Sequence, residues 1–195
     1  MMKKLAIFSV IIFVAIVLSV IFGSTKVNNL SQSPAEVVSG LTGVEITMKI
    51  ESPAFGNAAK IPSKYTCDGA DIIPPLQFSD VPAGAKSLAI IMDDTDSPSG
   101  DWLHWSAWNI APETREIRAG EVPAGAVEGK TSFDDVGYGG PCPGRGEHRY
   151  FFHLYALDSM LDLPRGADRS QLEAALAGHI LGRAEFYGLY KRMGN

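Results

Sequence analysis

Only two cysteines, Cys67 and Cys142, occur in the 195 residues. Two thiols do not make a zinc site, and their spacing matches no zinc-finger pattern. No HExxH helix, nucleophile elbow or phosphate loop is present, so the commoner hydrolase and nucleotide-dependent mechanisms have no signature here. Basic residues are in the minority, 17 Lys and Arg against 22 Asp and Glu, for a net charge of -5. No basic stripe interleaved with aromatics appears, which excludes nucleic acid as a partner. Any phosphate-binding site must therefore be local, built against the overall charge. The chain also lacks internal repeats and low-complexity tracts. What it has is 46% hydrophobic residues, enough for a globular core, with 20 glycines and 12 prolines. So many turn formers favour β structure over a helix bundle.

The N-terminus differs from the rest. Lys3 and Lys4 precede an apolar run from Leu5 to Gly23 that only Ser9 and Ser19 interrupt. A short basic region before such a run is an export signal, and its length approaches that of a bilayer span. Residues 1–24 are thus expected to be a retained signal anchor or a cleaved signal peptide. Either places the remainder outside the cytoplasm, with an N-terminal membrane contact. No small-x-small cleavage site is evident, and no cysteine follows that could carry a lipid. Residues 25–43 are polar and form an expected linker, and the folded domain is expected over 44–195. In an exported chain Cys67 and Cys142 are candidates for a disulfide; the alternative is two free buried thiols.

Val44 to Ile50 alternates apolar and polar residues, the pattern of a half-buried strand. Ser87 to Met92 is almost wholly apolar, as in a strand buried on both faces. Trp102–Ile110 and Arg149–Leu157 are two further strands, while Ser52–Pro75 is mostly loop. Long loops without regular helices between strands argue for an antiparallel sandwich. At the C-terminus, Ser170 and Glu173 suggest a capping box. Leu172, Leu176 and Ile180 then recur every four residues, predicting a helix, with a second helical piece over Ala184–Arg192 and a possible break at Gly178.

Three segments concentrate polar and aromatic side chains. They are Asp93–Pro98, Trp102–Trp105, and the Gly/Pro-rich stretch Gly139–Tyr150. Side chains two apart on a strand share a face, so Trp102 goes with His104 and His148 with Tyr150. A carboxylate beside an imidazole would fix its tautomer and favour its protonated form. Imidazole and phenol donors would then face a pocket where an anion binds, and glycines would let backbone N–H groups approach it. His153 lies on the opposite strand face from His148, and Arg149 alternates away from His148 and Tyr150; both are read as structural. So are His179, in the predicted helical tail, Ser97 and Ser106. Trp105 and Trp108 are read as core.

The same segments resemble the signature of the phosphatidylethanolamine-binding proteins, in the prokaryotic Raf-kinase-inhibitor-like branch. The resemblance rests on Asp94-Thr95-Asp96-Ser97-Pro98, Trp102-Leu103-His104, and Gly140-Pro141-Cys142-Pro143 leading to His148-Arg149-Tyr150. Ser63–Gly69, Pro74-Pro75-Leu76 and Gly178–Leu181 add to it. It implies a Greek-key β-sandwich with C-terminal helices. It also implies a small surface pocket for phosphate-like or carboxylate groups, formed by Asp94, Pro98, Trp102, His104, Gly140, His148 and Tyr150. In some relatives a C-terminal tyrosine closes the pocket, and Tyr187 and Tyr190 are the candidates here. Thr95, Ser97 and Glu147 depart from the family pattern, the last adding a negative charge beside His148.

The function expected is that of a non-enzymatic protein without cofactor that binds a small anionic ligand or a phosphorylated or carboxylate-bearing partner. Inhibition of a protease or kinase through the same surface is the alternative, and an extracytoplasmic location favours a peptidase target. A homodimer is compatible with the sequence. A third reading is enzymatic, with Asp94, His104 and His148 as two histidines and a carboxylate around a metal, or with Asp94 and Asp96 as paired acids.

Overall fold

The computed structural model describes residues 48–192. The predicted anchor, the linker and the start of the predicted first strand lie outside them. Two sheets face each other across the main core. The smaller has the order β1-β3-β6, from β1 (Lys49–Glu51), β3 (Leu76–Ser79) and β6 (Glu116–Ile117). The larger has the order β2-β9-β8-β4-β5-β7. Its strands are β2 (Ala59–Lys60), β4 (Ser87–Asp94), β5 (Trp102–Ile110), β7 (Val127–Glu128), β8 (His148–Leu157) and β9 (Ile180–Tyr190). One helix, α1 (Arg169–Leu176), packs on the outer face of the larger sheet. No helix among the described residues is long and apolar enough to cross a membrane.

The apolar run of β4 explains this layering. All eight of its residues are buried. Leu88, Ile90 and Met92 face the smaller sheet, with Phe78, Trp105, Phe152 and Phe186 in the same cluster. Ala89 and Ile91 face the other way, toward Leu172 and Leu176 of α1. A strand covered on both sides needs apolar residues at every position rather than at alternate ones. Flanking strands β5 and β8 pair with β4 antiparallel. Trp105 and Trp108 are both fully buried.

Two expectations about the C-terminus are corrected. The helix starts earlier than the Ser170–Glu173 pair suggested: Asp168 is the N-cap, accepting from the Gln171 backbone, and the Gln171 side chain reaches back. Ser170 instead donates to Asp168 Oδ1, and Glu173 accepts from Arg169. The second helical piece over Ala184–Arg192 is strand β9. Gly178, at φ 83°, turns the chain out of the helix; from there Phe186, Gly188 and Tyr190 alternate inward with Glu185, Tyr187 and Leu189 outward. The fold therefore has one helix among the described residues, not several. The sandwich is not wholly antiparallel either. Strand β2 pairs with β9 in parallel, Ala59 opposite Gly188. Glycine is required there, because a Cβ on Gly188 would come within 2.7 Å of the Phe55 ring.

Candidate anion-binding site

The site forms where β4, β5 and β8 end together on the inner face of the larger sheet. Asp94 closes β4, opposite Tyr150 of β8 and Trp102 of β5. A register shift lies beside it: Met92 pairs with Trp105 but Asp93 with Leu103, so His104 is the extra residue of a bulge. Bulges re-aim side chains. Here the bulge lets Trp105 enter the core while His104 also faces inward, its ring edge-on to Tyr150 at 5.2 Å.

Asp94 and His148 form the electrostatic centre. His148 Nδ1 donates to Asp94 Oδ2 at 2.7 Å, and both side chains are almost wholly buried. Asp94 Oδ1 also accepts from the Asp96 backbone N–H. On the far side of its ring, His148 Nε2 faces the Arg145 carbonyl oxygen at 3.0 Å. Both ring nitrogens thus meet acceptors; a neutral imidazole can satisfy one and an imidazolium both. Tyr150 is fully buried, and its hydroxyl makes no hydrogen bond of normal geometry. Burial first, and then the Asp94 charge, push the phenol pKa upward, so Tyr150 remains a donor.

His104 differs from the expectation of a second cationic donor. Burial pulls its pKa down, although its hydrogen bond to Gly139 opposes the shift. Its Nδ1 donates to the Gly139 carbonyl at 2.6 Å, and the Gly139 N–H returns a bond to the His104 carbonyl. A neutral His104 therefore pins the Gly139 loop and leaves Nε2 as an acceptor. The expected backbone donor at Gly140 is also engaged: its N–H donates to Asp71 Oδ1 at 2.7 Å. A side chain at Gly140 would strike the Tyr65 carbonyl, its Cβ only 2.6 Å away.

Cys67 and Cys142 are joined in a disulfide. This bridge, with the Cys67 N–H bonded to the Pro141 carbonyl, ties the loop to the segment after the 3-10 turn Ser63–Tyr65. Trp102 and His104 both lie edge-on to Phe133, at 5.5 and 5.1 Å. Pro98 is exposed in the turn after β4, with no hydrogen bond or ring contact to the histidines. Among the described residues no three His, Cys, Asp or Glu side chains are grouped as metal ligands. A cleft of about 260 Å³ lies beside the site, lined by Asp71, Phe133, Asp135, Tyr138, Gly140 and Cys142 among others.

Sequence reasoning missed Asp71, Phe133 and the Arg145 carbonyl. The Asp71 bond joins residues 69 apart in sequence. Phe133 sits in an irregular loop without periodicity, 41% exposed. Of the two C-terminal tyrosines, Tyr190 stands beside His148 on β9, with its hydroxyl on Asp68. Tyr187 lies on the outer face, stacked on Phe151.

Comparison with known proteins decides the family. The sequence model described as phosphatidylethanolamine-binding protein matches residues 51–191. The chain belongs to the phosphatidylethanolamine-binding protein family. A UPF0098 protein of Methanothermobacter thermautotrophicus is 48% identical over 150 residues, 74% of this chain and 99% of the relative. Another, from Pyrococcus horikoshii, is 46% identical over 157 residues, 76% of this chain and 78% of the relative. Among solved structures, a phosphatidylethanolamine-binding protein homologue from Chlamydia trachomatis superposes with a TM-score of 0.73 at 41% identity, covering 75% of this chain and 98% of that one. YbcL of E. coli, described as a new member of the mammalian family, gives 0.70 at 25% identity, covering 74% and 98%.

Proposed function

We propose that the chain is a non-enzymatic binding protein that recognises a small oxyanion, a phosphate or carboxylate group, at His148 and Tyr150. The observation that carries this reading is the buried Asp94–His148 pair set beside a buried phenol whose hydroxyl has no hydrogen bond of normal geometry. Asp94 and the Cys142 backbone hold this hydroxyl only outside normal hydrogen-bond geometry, and an oxyanion would supply a well-formed acceptor. The Arg145 carbonyl holds the His148 Nε2 position in the free protein and has to yield to the ligand. Gly144 and Gly146 flank Arg145, which favours such a movement.

The protein is further proposed to act outside the cytoplasm, anchored by residues 1–24 or released by their cleavage. Its apolar N-terminus and the Cys67–Cys142 bridge support this, since disulfides persist in oxidising compartments.

Calorimetric titration with phosphate and acetate tests the binding reading. Both are expected to bind the wild type, and affinity is expected to drop roughly tenfold or more in Tyr150→Phe, which deletes the hydroxyl and keeps the ring. Equal affinity in the variant would remove Tyr150 from the site.

A further inference from the structure

Asp93 and Asp94 are consecutive at the end of β4 and so point to opposite faces of the larger sheet. Each meets a histidine of β8. Asp94 holds His148 on the inner face, and Asp93 lies 3.4 Å from Nε2 of His153 on the outer face. Both histidines are followed two residues later by a tyrosine: His148-Arg149-Tyr150 and His153-Leu154-Tyr155. The two triplets are offset by an odd number of residues, which puts one on each face. The Asp–His–Tyr arrangement of the inner site thus recurs behind it.

The outer arrangement is built on a buried charge. The Asp93 side chain is 3% exposed, and Oδ2 meets Arg169 Nη1 of α1 at 2.9 Å. Its other oxygen has no hydrogen bond of normal geometry, with His153 as its nearest partner. Burial alone would raise the Asp93 pKa, but His153 and Arg169 more than offset it, and the carboxyl stays ionised below its ordinary range. A fixed anion therefore stands behind His153. The second ring nitrogen lies 3.4 Å from Glu185 Oε2 on β9. Asp101 and Glu173 face Arg169 rather than the histidine.

In front of His153, strands β8 and β9 bound a cleft of about 350 Å³ lined by His153, Tyr155, Arg183, Ala184 and Glu185. Arg169 has three carboxylates within reach, yet Arg183 makes no side-chain hydrogen bond or ion pair among the described residues. A guanidinium fork, an imidazole backed by a carboxylate and a phenol converge on one cleft. Such a set suits the oxygens of a phosphate or carboxylate, which an arginine can bind in bidentate fashion.

We propose that the outer-face cleft between β8 and β9 is a second oxyanion site, in which Arg183 binds the ligand's oxygens and His153 and Tyr155 donate to them. Glu185 is its internal competitor. It occupies the second nitrogen of His153 in the free protein and, at 64% side-chain exposure, is free to swing into solvent as the anion enters. This site does not depend on the inner one.

The test is inorganic phosphate titrated into the full chain with its histidine imidazoles 15N-labelled. Four histidines give four sets of signals. His179, half exposed and paired with Asp158, is the internal control. His153 is expected to shift saturably. Affinity should fall roughly tenfold in Arg183→Ala, and rise severalfold in Glu185→Gln as the competing charge is removed. The His153 response should persist in His148→Gln. Should that variant fail to fold, persistence in Tyr150→Phe serves the same purpose. A His153 signal that moves no more than that of His179, or one whose affinity is unchanged in Arg183→Ala, would overturn the proposal and leave Asp93–His153–Arg169 as a clamp between sheet and helix. Loss of the His153 response in the inner-site variants would overturn its independence.

Discussion

Residue by residue, the inner site is a set of well-bonded polar groups around one, the Tyr150 hydroxyl, whose contacts fall outside normal hydrogen-bond geometry. Asp94 to Ala removes the acceptor of a buried imidazole and should cost about 2 kcal/mol of unfolding free energy in urea denaturation. Asp96, by contrast, supports the turn from outside. Arg149 donates to its carboxylate from the side chain and from the backbone, and that hydrogen bonding lowers the Asp96 pKa from its ordinary value to about 2. A carboxyl depressed in the folded state stabilises above its unfolded pKa, near 3.8, and that contribution is lost as pH falls toward 2. Thermal unfolding followed between these limits should therefore be less pH-sensitive in Asp96→Asn than in the wild type. Equal slopes would show that the pair contributes nothing to acid stability. Period-two alternation placed Arg149 outside and His148 and Tyr150 inside, and the structure agrees. The downward shift of His104 was not legible, because it follows from burial in the folded core, which outweighs the opposing bond to a carbonyl 35 residues away.

Among the elements, the strands were easier to read than the C-terminus. The short apolar run of β4, too short for a buried helix, and the alternation in β8 both point to strands. Strand β9 misled because Leu172, Leu176 and Ile180 keep helical spacing across Gly178, and because Glu185, Lys191 and Arg192 are good helix formers. Tertiary context overrides that propensity. Phe186 and Tyr190, four apart, would share a face of a helix too, but only a strand adds Gly188 to that face, against Phe55 and Ile61. The parallel pairing of β2 depends on this glycine. Gly188→Ala should destabilise by about 1–3 kcal/mol through overpacking against Phe55 and Ile61, read from the urea midpoint. A variant as stable as the wild type would mean that β2 does not pack on β9 as described.

At the largest scale, that of the described domain, sheet, sheet and helix form three layers about a central β4, and the disulfide closes the end that carries the site. Bridging residues 75 apart restricts the unfolded chain by about 4 kcal/mol in the entropic account. Reduction should lower the melting temperature by a corresponding amount. It should also weaken oxyanion binding at His148, because Cys142 anchors the loop that carries Gly139 and Gly140. An unchanged affinity after reduction would separate the bridge from the site. That the two cysteines could pair was legible from their number. That they brace the site was not, because the Ser63–Gly69 segment reaches the Gly140 loop only in the folded chain.

The central claim, an oxyanion site at the Asp94–His148–Tyr150 end of the inner face, is tested most directly by heteronuclear NMR. Phosphate, phosphoethanolamine and acetate would be titrated into the full chain while the His148 imidazole and the Tyr150 ring are followed. The account predicts saturable shifts at both residues with all three ligands, through the oxyanion they share, and a His148 response shifted to roughly tenfold or higher ligand concentration in Tyr150→Phe. Signals of His148 and Tyr150 that stay fixed while the ligands reach high concentration would contradict it.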